Sequence, residues 1–201
     1  MIRNRIYLLS PAYPGGVRGR LLLGPRSEFD LAARLREGSA TLGETFAFIS
    51  GLYFRGKLSY AQAFASPPRG TPSAFVIASG RGLVPPETRI TVEELQQIAS
   101  VPIDIADPRY RFPLERDCRL LAETVGENCD VVLLGSVATR KYAEPISAIF
   151  GERLLFPEEF IGRGDMSRGG LMLRCARAGV QLNYVPIGNF TRHGPRPPKL
   201  S

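Results

Sequence analysis

The chain has 201 residues, 44% of them hydrophobic, and a formal net charge of +7. This length fits one domain that buries roughly two thirds of the surface exposed by its unfolded chain. No segment approaches the roughly 18 to 20 uninterrupted apolar residues of a membrane span, and the N-terminal apolar run is too short for a signal peptide. These features predict a cytoplasmic protein that does not enter a membrane.

The apolar segments, taken in chain order, predict an α/β fold. Five short runs are typical of β-strands, and the first four are continuous, as expected for strands that are buried on both faces of a sheet. They lie at 6–9, 74–78, 130–135, 153–156 and 180–187, and the last also fits an antiparallel edge strand.

Amphipathic segments with helix start and stop signals separate these strands. Ser27 is a candidate N-cap, Thr91 and Glu94 form a capping box, and Gly126 and Gly179 are stop signals. The predicted helices cover 27–38, two segments within 40–66 that are separated by a turn at 50–56, and then 91–99, 113–126 and 165–179.

Strands that alternate with helices predict a three-layer α/β domain, with a mainly parallel central sheet of about five strands and helices on both faces. We expect residues 1–188 to form this domain and 189–201 to form a basic, proline-rich tail. Basic residues are concentrated at the two ends, because residues 1–26 hold five arginines and the tail holds three basic residues, with no acid in either. This distribution favours a polyanion partner, although solubility alone also explains it.

Cysteine and histidine usage argues against several kinds of site. The three cysteines are widely spaced and form no CxxC pair, so we expect them in the core as small apolar residues. The single histidine, His193, lies in the tail, which argues against a Ser–His–Asp triad or a histidine-rich zinc site. The sequence also lacks GxxxxGK[ST], and no GxGxxG follows the first strand. It therefore supports neither a P-loop nor a Rossmann dinucleotide site and identifies no cofactor.

Each of the first four predicted strands is followed by small residues and at least one arginine or lysine. In an open parallel sheet these segments meet along one edge, where ligands bind. Backbone N–H groups and converging basic side chains at such an edge favour an anion such as phosphate. The candidate ligand-binding residues are Ser10, Tyr13, Gly15, Gly16, Tyr53, Arg55, Arg81, Gly82, Arg140, Lys141, Gly162, Arg163, Gly164 and Arg168.

Segment 160–170, FIGRGDMSRGG, contains more glycine than a turn requires. Gly162 and Gly164 would let a phosphate or nucleobase approach the backbone while the neighbouring arginines hold it. Asp165 fits either a helix cap or a general acid or base, which makes it the candidate catalytic residue. Four carboxylates have the chemistry to hold Mg²⁺ with phosphate oxygens, but no spacing favours a metal site. They are Asp104, Asp107, Glu158 and Asp165.

Segment 50–64, SGLYFRGKLSYAQAF, carries five aromatic and basic residues at helical spacing: Tyr53, Phe54, Arg55, Lys57 and Tyr60. Such residues stack on bases and contact phosphates in nucleic-acid-binding proteins. The same pattern also describes a half-buried helix with Phe54 inward and Arg55 outward, and the sequence leaves both interpretations open.

Four segments resemble a group of poorly characterised bacterial α/β proteins. Segment 50–64 is similar to their S-x-L-F-R-K-A-x-x-Y-A motif, and VIASGRGLVPPETRI (76–90) to their I-L-S-A-K-x-G-L-[LV]-x-P motif. VVLLGSVATRKYAEPI (131–146) resembles their strand followed by a Tyr-x-x-x-[LI] helix, and FIGRGDMSRGGLMLR (160–174) resembles their closing L-G-I-G-x-[RM] turn.

That group is itself remotely similar to the YaaA-type peroxide-stress proteins and to the central domain of archaeosine synthase. The resemblance covers about residues 45–175, and this chain departs from it at SPAYPGG (10–16) and at Ser79-Gly80-Arg81. It implies an α/β fold and a nucleic-acid or nucleotide context.

The leading hypothesis is a protein that binds a nucleotide or nucleic acid at the carboxyl edge of its sheet, with segment 10–16 as a lid. One version adds a reaction at a nucleobase or nucleoside linkage, with Asp165 as acid or base and Tyr13 or Tyr53 stacked on the base. The alternatives are a non-enzymatic module that binds DNA or RNA through its basic ends, and a subunit of a larger complex whose tail binds a protein partner.

Overall fold

The computed structural model of this chain describes residues 3–136 and 140–189, with the backbone alone for Arg140 and Asn189. Its centre is a six-stranded mixed sheet with the strand order β3-β2-β1-β4-β5-β6. The four inner strands are mutually parallel, whereas β3 and β6 pair antiparallel at the two edges. The strands are β1 (Asn4–Leu9), β2 (Ala74–Ala78), β3 (Gly82–Val84), β4 (Cys129–Leu134), β5 (Leu154–Pro157) and β6 (Tyr184–Pro186).

Helices pack on both faces of this sheet. The helices are α1 (Val17–Leu23), α2 (Asp30–Arg36), α3 (Leu42–Ser50), α4 (Leu52–Phe64), α5 (Val92–Ser100), α6 (Pro108–Val125), α7 (Arg140–Phe150) and α8 (Asp165–Ala178). Because side chains alternate along a strand, Tyr7 and Leu9 of β1 join a cluster with α3, α4, α5 and α8. Ile6 and Leu8 join a second cluster with α6 and α7 on the opposite face.

The predicted α/β class is confirmed. The sheet is mixed and has six strands, four of them mutually parallel, where the sequence predicts a mainly parallel sheet of about five. The additional strand, β3, is three residues long, too short to show a periodic pattern. The predicted run at 180–187 contains only the short strand β6, which is the antiparallel edge that its position allowed.

Several helix boundaries follow the predicted signals and others do not. The capping box of Thr91 and Glu94 is present at α5. Helix α6 begins five residues before Pro113, because Asp107 accepts a hydrogen bond from the Arg109 N–H and caps the start at Pro108. Ser27 was wrongly predicted as a cap, since its hydroxyl donates to the Leu21 carbonyl and α2 begins later.

Helices α4 and α8 cross at a pair of glycines. A Cβ on Gly56 would lie 2.7 Å from the Gly169 carbonyl oxygen, and a Cβ on Gly169 would lie 2.8 Å from the Leu52 carbonyl oxygen. The two predicted helices are present, but the turn between them is shorter than the predicted 50–56. Only Gly51, with a φ of 62°, interrupts the helical segment, whereas Gly56 is a helical residue that allows α8 to approach.

Three tyrosine hydroxyls fasten the last strand to the core. The Tyr184 hydroxyl lies 3.0 Å from that of Tyr7 and 2.7 Å from that of Tyr60, which also accepts a hydrogen bond from the Leu182 N–H.

Cys118 and Cys129 are buried and Cys175 is half-buried. Within the described ranges, the helices are too short or too polar to cross a bilayer.

Candidate functional site

The sheet has a topological switch point between β1 and β4. The chain passes from β1 to β2 on one side and later returns to place β4 on the other side of β1. The connection after β1 runs towards β2 and the connection after β4 runs the opposite way, towards β5. Such a divergence opens a crevice at the carboxyl ends of the two strands, which is where α/β proteins bind ligands.

Two adjoining cavities occupy this edge. The inner cavity, of about 400 Å³, is lined by residues that follow β1 and β4, including Ser10 and Ser136, and by side chains of α4, α7 and α8. The outer cavity, of about 660 Å³, extends past Ser79 at the end of β2 towards Asp104. We call the two together the switch-point cleft. The residues that line both parts are Pro11, Ala12, Tyr13, Ile103 and Lys141.

A buried lysine lies behind the wall of the inner cavity. The Lys57 side chain extends from α4 and is 1% exposed. Its Nζ donates to the Ser10 carbonyl oxygen at 2.9 Å and lies 2.7 Å from the Ser10 hydroxyl oxygen. The ring of Tyr53, one helical turn earlier, lies 4.0 Å from the same nitrogen and offers its face to the amine.

Burial lowers the pKa of Lys57 to about 7, and the positive charge of Arg168 acts in the same direction while the negative charge of Asp165 opposes it. A substantial fraction of this amine is therefore neutral at physiological pH. Burial also raises the pKa of Tyr53 to about 12, so that the phenol stays protonated.

Ser10 is held where the ends of β1 and β4 meet. A Cβ on Gly135 would lie 2.7 Å from the Ser10 Cβ, so a glycine is needed for the two strand ends to approach this closely. On the other side, the Tyr142 hydroxyl accepts a hydrogen bond from the Ser136 N–H at 2.9 Å and interacts with the Ser10 hydroxyl. Ser10 therefore contacts both an amine and a phenol while it lines the cavity.

Five of the residues predicted from the sequence line the cleft: Ser10, Tyr13, Tyr53, Lys141 and Asp165. The Tyr13 side chain is 68% exposed at the mouth. Asp165 is the first residue of α8, and Gly164 before it is the N-cap. The Asp165 carboxylate is 68% exposed and lies 3.9 Å from the Arg168 guanidinium. It is therefore accessible to a ligand.

Three of the predicted arginines, Arg81, Arg163 and Arg168, are not among the residues that line the cleft. Arg81 forms an ion pair with Glu94 at 2.6 Å. Arg163 donates to the Glu159 carbonyl, and Arg168 donates to the Phe160 carbonyl. All three guanidinium groups therefore already have protein partners, and those of Arg163 and Arg168 stabilise the chain just before α8. The Arg140 side chain and the tail beyond 189 are outside the described residues.

The remaining predicted residues have local structural environments. Gly15 and Gly16 precede α1, and Arg20 donates to the Gly15 carbonyl at 2.7 Å. Gly82 begins β3 with a φ of 83°, and Gly162 forms a turn with a φ of 69°. Arg55 is exposed on α4. In segment 160–170, the glycine with the closest backbone neighbour is Gly169, whose neighbour is helix α4 and not a ligand.

Sequence reasoning named Lys57 only as one of several phosphate contacts and did not identify Tyr142 or Ser136 as site residues. The available signal was a lysine one turn after Tyr53 and one turn before Tyr60 in an otherwise apolar stripe.

In the part of the chain that the structure describes, no three His, Cys, Asp or Glu side chains group as metal ligands. No family model, curated protein or solved structure matches this chain.

Proposed function

We propose that this chain binds a nucleotide, free or as part of a nucleic acid, in the switch-point cleft. The observation that carries the proposal is the combination of Tyr13, Asp165 and Lys141 around the inner cavity at the carboxyl edge of the sheet. An aromatic face, a hydrogen-bond acceptor and a cation are the three groups that a base, a ribose and a phosphate require.

The size and lining of the cleft support this proposal. Both cavity volumes fall within the range of roughly 300 to 1,000 Å³ that is usual for small-molecule sites. The apolar residues Ile49 and Ile103 line the inner cavity together with Ser10 and Ser136, and this mixture suits a flat ring with polar edges. The exposed Tyr13 ring is available to stack on a base.

The proposal assigns the phosphate to Lys141 and not to the arginines of segment 160–170. Arg163 and Arg168 already donate to main-chain carbonyls, and turning them towards a ligand would cost those hydrogen bonds. Asp165 receives ribose hydroxyls or amino hydrogens of the base. This division of roles separates the cleft from the arginine cluster predicted from the sequence.

Calorimetric titration with purine and pyrimidine mononucleotides tests the proposal. Lys141→Ala should weaken nucleotide binding by about tenfold or more, because a charge-assisted hydrogen bond contributes roughly 1.5 to 3 kcal/mol. Asp165→Asn should weaken the binding of nucleosides and of nucleotides alike. Lys141→Ala should weaken only the binding of the phosphorylated ligands. Arg163→Ala is the matched control and should leave both affinities unchanged.

Fluorescence polarisation with labelled oligonucleotides separates this proposal from binding through the basic ends. Affinity that falls with rising salt and with Lys141→Ala supports the cleft. If affinity is lost when residues 189–201 are deleted and is indifferent to Lys141→Ala, the non-enzymatic alternative is correct and the cleft proposal is wrong.

A further inference from the structure

We propose that Ser10 is a nucleophile and Lys57 its general base, and that together they hydrolyse a carboxylic ester bound in the switch-point cleft. The separation of 2.7 Å between Lys57 Nζ and Ser10 Oγ is the hydrogen-bond distance that an activated nucleophile requires. Ser10 is 5% exposed and lines the inner cavity, whereas Lys57 is not among the lining residues, so the serine lies between the amine and the cavity.

The surroundings of the amine suit a base. A neutral amine has two N–H donors and one lone pair. The donors are satisfied by the Ser10 carbonyl and by the face of the Tyr53 ring, so the lone pair is free to accept the proton of the Ser10 hydroxyl. Burial keeps the amine pKa near 7, so the base is available at neutral pH.

The charged and titratable groups around this pair come from three helices. Tyr53 lies on the same helix as Lys57, Tyr142 approaches Ser10 from α7, and Asp165 and Arg168 act from the first turns of α8. The opposite charges of Asp165 and Arg168 act against each other, which leaves burial as the main control of the protonation state of Lys57.

The reaction balances with water as the only co-reactant. Ser10 Oγ bonds to the carbonyl carbon as its proton passes to Lys57 Nζ, and the ester C–O bond then breaks as Lys57 returns that proton to the leaving oxygen. Water adds to the resulting acyl-serine and gives one proton to Lys57. When the acyl–Oγ bond breaks, Lys57 returns this proton to Ser10 and the carboxylic acid departs.

This inference shares the cleft with the proposed nucleotide site but does not depend on which ligand binds there. A fluorophosphonate probe tests it directly, because the probe forms a P–O bond with an activated serine and loses fluoride. Mass spectrometry of the digested protein should locate the label on Ser10. Ser10→Ala should abolish labelling, and Lys57→Met should slow it by about 100-fold, the usual contribution of a positioned base.

Ser147 provides the control. It is a half-buried serine of α7 that is not among the residues lining the cleft, and its hydroxyl donates to the Ala143 carbonyl. Ser147→Ala should be labelled at the wild-type rate. The proposal is overturned if folded wild-type protein at pH 8.5 carries no label on Ser10, or if Lys57→Met is labelled as fast as wild type.

If Lys57→Met fails to fold, the pH profile of wild-type labelling decides. The rate should rise through about pH 7 and level off above it, as the amine loses its proton. A labelling rate that does not change as the pH rises through 7 overturns the proposal. Nucleotide titration and labelling of the wild type separate the two proposals. A wild type that is labelled on Ser10 but binds no nucleotide refutes only the binding function, and one that binds nucleotide but carries no label refutes only the hydrolysis.

Discussion

Gly169 and Gly170 are neighbours in α8, yet an added methyl group would meet different surroundings at each. At Gly169 the new Cβ would lie 2.8 Å from the Leu52 carbonyl oxygen and from the Tyr53 Cα, which are main-chain atoms of α4. At Gly170 its nearest neighbour would be the end of the flexible Arg174 side chain, at 3.4 Å. We therefore expect Gly169→Ala and Gly170→Ala to change stability in opposite directions.

The two substitutions share one favourable term. Replacing glycine by alanine inside a helix stabilises a protein by roughly 0.5 to 1 kcal/mol, because glycine loses more conformational freedom on folding. Gly170→Ala should keep this gain. Forcing a methyl group into a packed contact costs roughly 1 to 3 kcal/mol, so Gly169→Ala should lose stability and fall about 1 to 3 kcal/mol below Gly170→Ala.

Guanidinium denaturation measures this difference. The chain contains no tryptophan, so far-ultraviolet circular dichroism is the suitable signal. The midpoint should decrease for Gly169→Ala and should stay level or increase for Gly170→Ala, with equal slopes for both variants. Two variants of equal stability would show that α4 and α8 do not make this close approach, and the arrangement of Lys57 beside α8 would have to be rejected with it.

Three further predictions concern Lys57, Tyr60 and Arg81. Between pH 7 and 10.5 the Lys57 amine is neutral in the folded chain but still protonated in the unfolded chain, because burial lowers its pKa. Compared with Lys57→Met, the free energy of unfolding of the wild type should therefore rise by up to about 1.4 kcal/mol per pH unit in this range. Denaturation at pH 6.5, 8 and 9.5 measures this, and parallel pH curves would contradict a buried amine. Tyr60→Phe should cost roughly 1 to 3 kcal/mol in thermal denaturation, since the Leu182 N–H loses its acceptor, and the exposed control Tyr13→Phe should cost little. Arg81→Ala should cost less than about 1 kcal/mol, because the Arg81 and Glu94 side chains are 33% and 30% exposed, and weaker nucleotide binding by this variant would contradict the assignment of phosphate to Lys141.

The parallel core of the fold could be predicted because its signals are local. Continuous apolar runs identified the four inner strands, and the capping box at Thr91 and the stops at Gly126 and Gly179 are contained in a few consecutive residues. The edge strand β3 could not be predicted. Its three residues are extended because they pair with β2, and that pairing is a tertiary contact.

The location of the candidate site could also be predicted, but its chemistry could not. Small residues after successive strands indicated the carboxyl edge, and four of the residues chosen in those segments line the cleft, together with Tyr53 from segment 50–64. The partners of a side chain depend on the fold, so the ion pair of Arg81 with Glu94 was not visible in the sequence. For the same reason a lysine in an aromatic stripe could be assigned to phosphate, whereas its burial against Ser10 depends on how α4 packs on β1.

The two outer strands also have a consequence for behaviour at high concentration. An exposed strand edge is a template on which an extended segment of another molecule can add, and this is how sheets grow into fibrils. Here the edge strands β3 and β6 have three residues each, and β6 ends in Pro186, which has no N–H to donate. The longer strands lie between these two edges. A strand from a second molecule would therefore find only a few free main-chain N–H and C=O groups to pair with at either edge of the sheet.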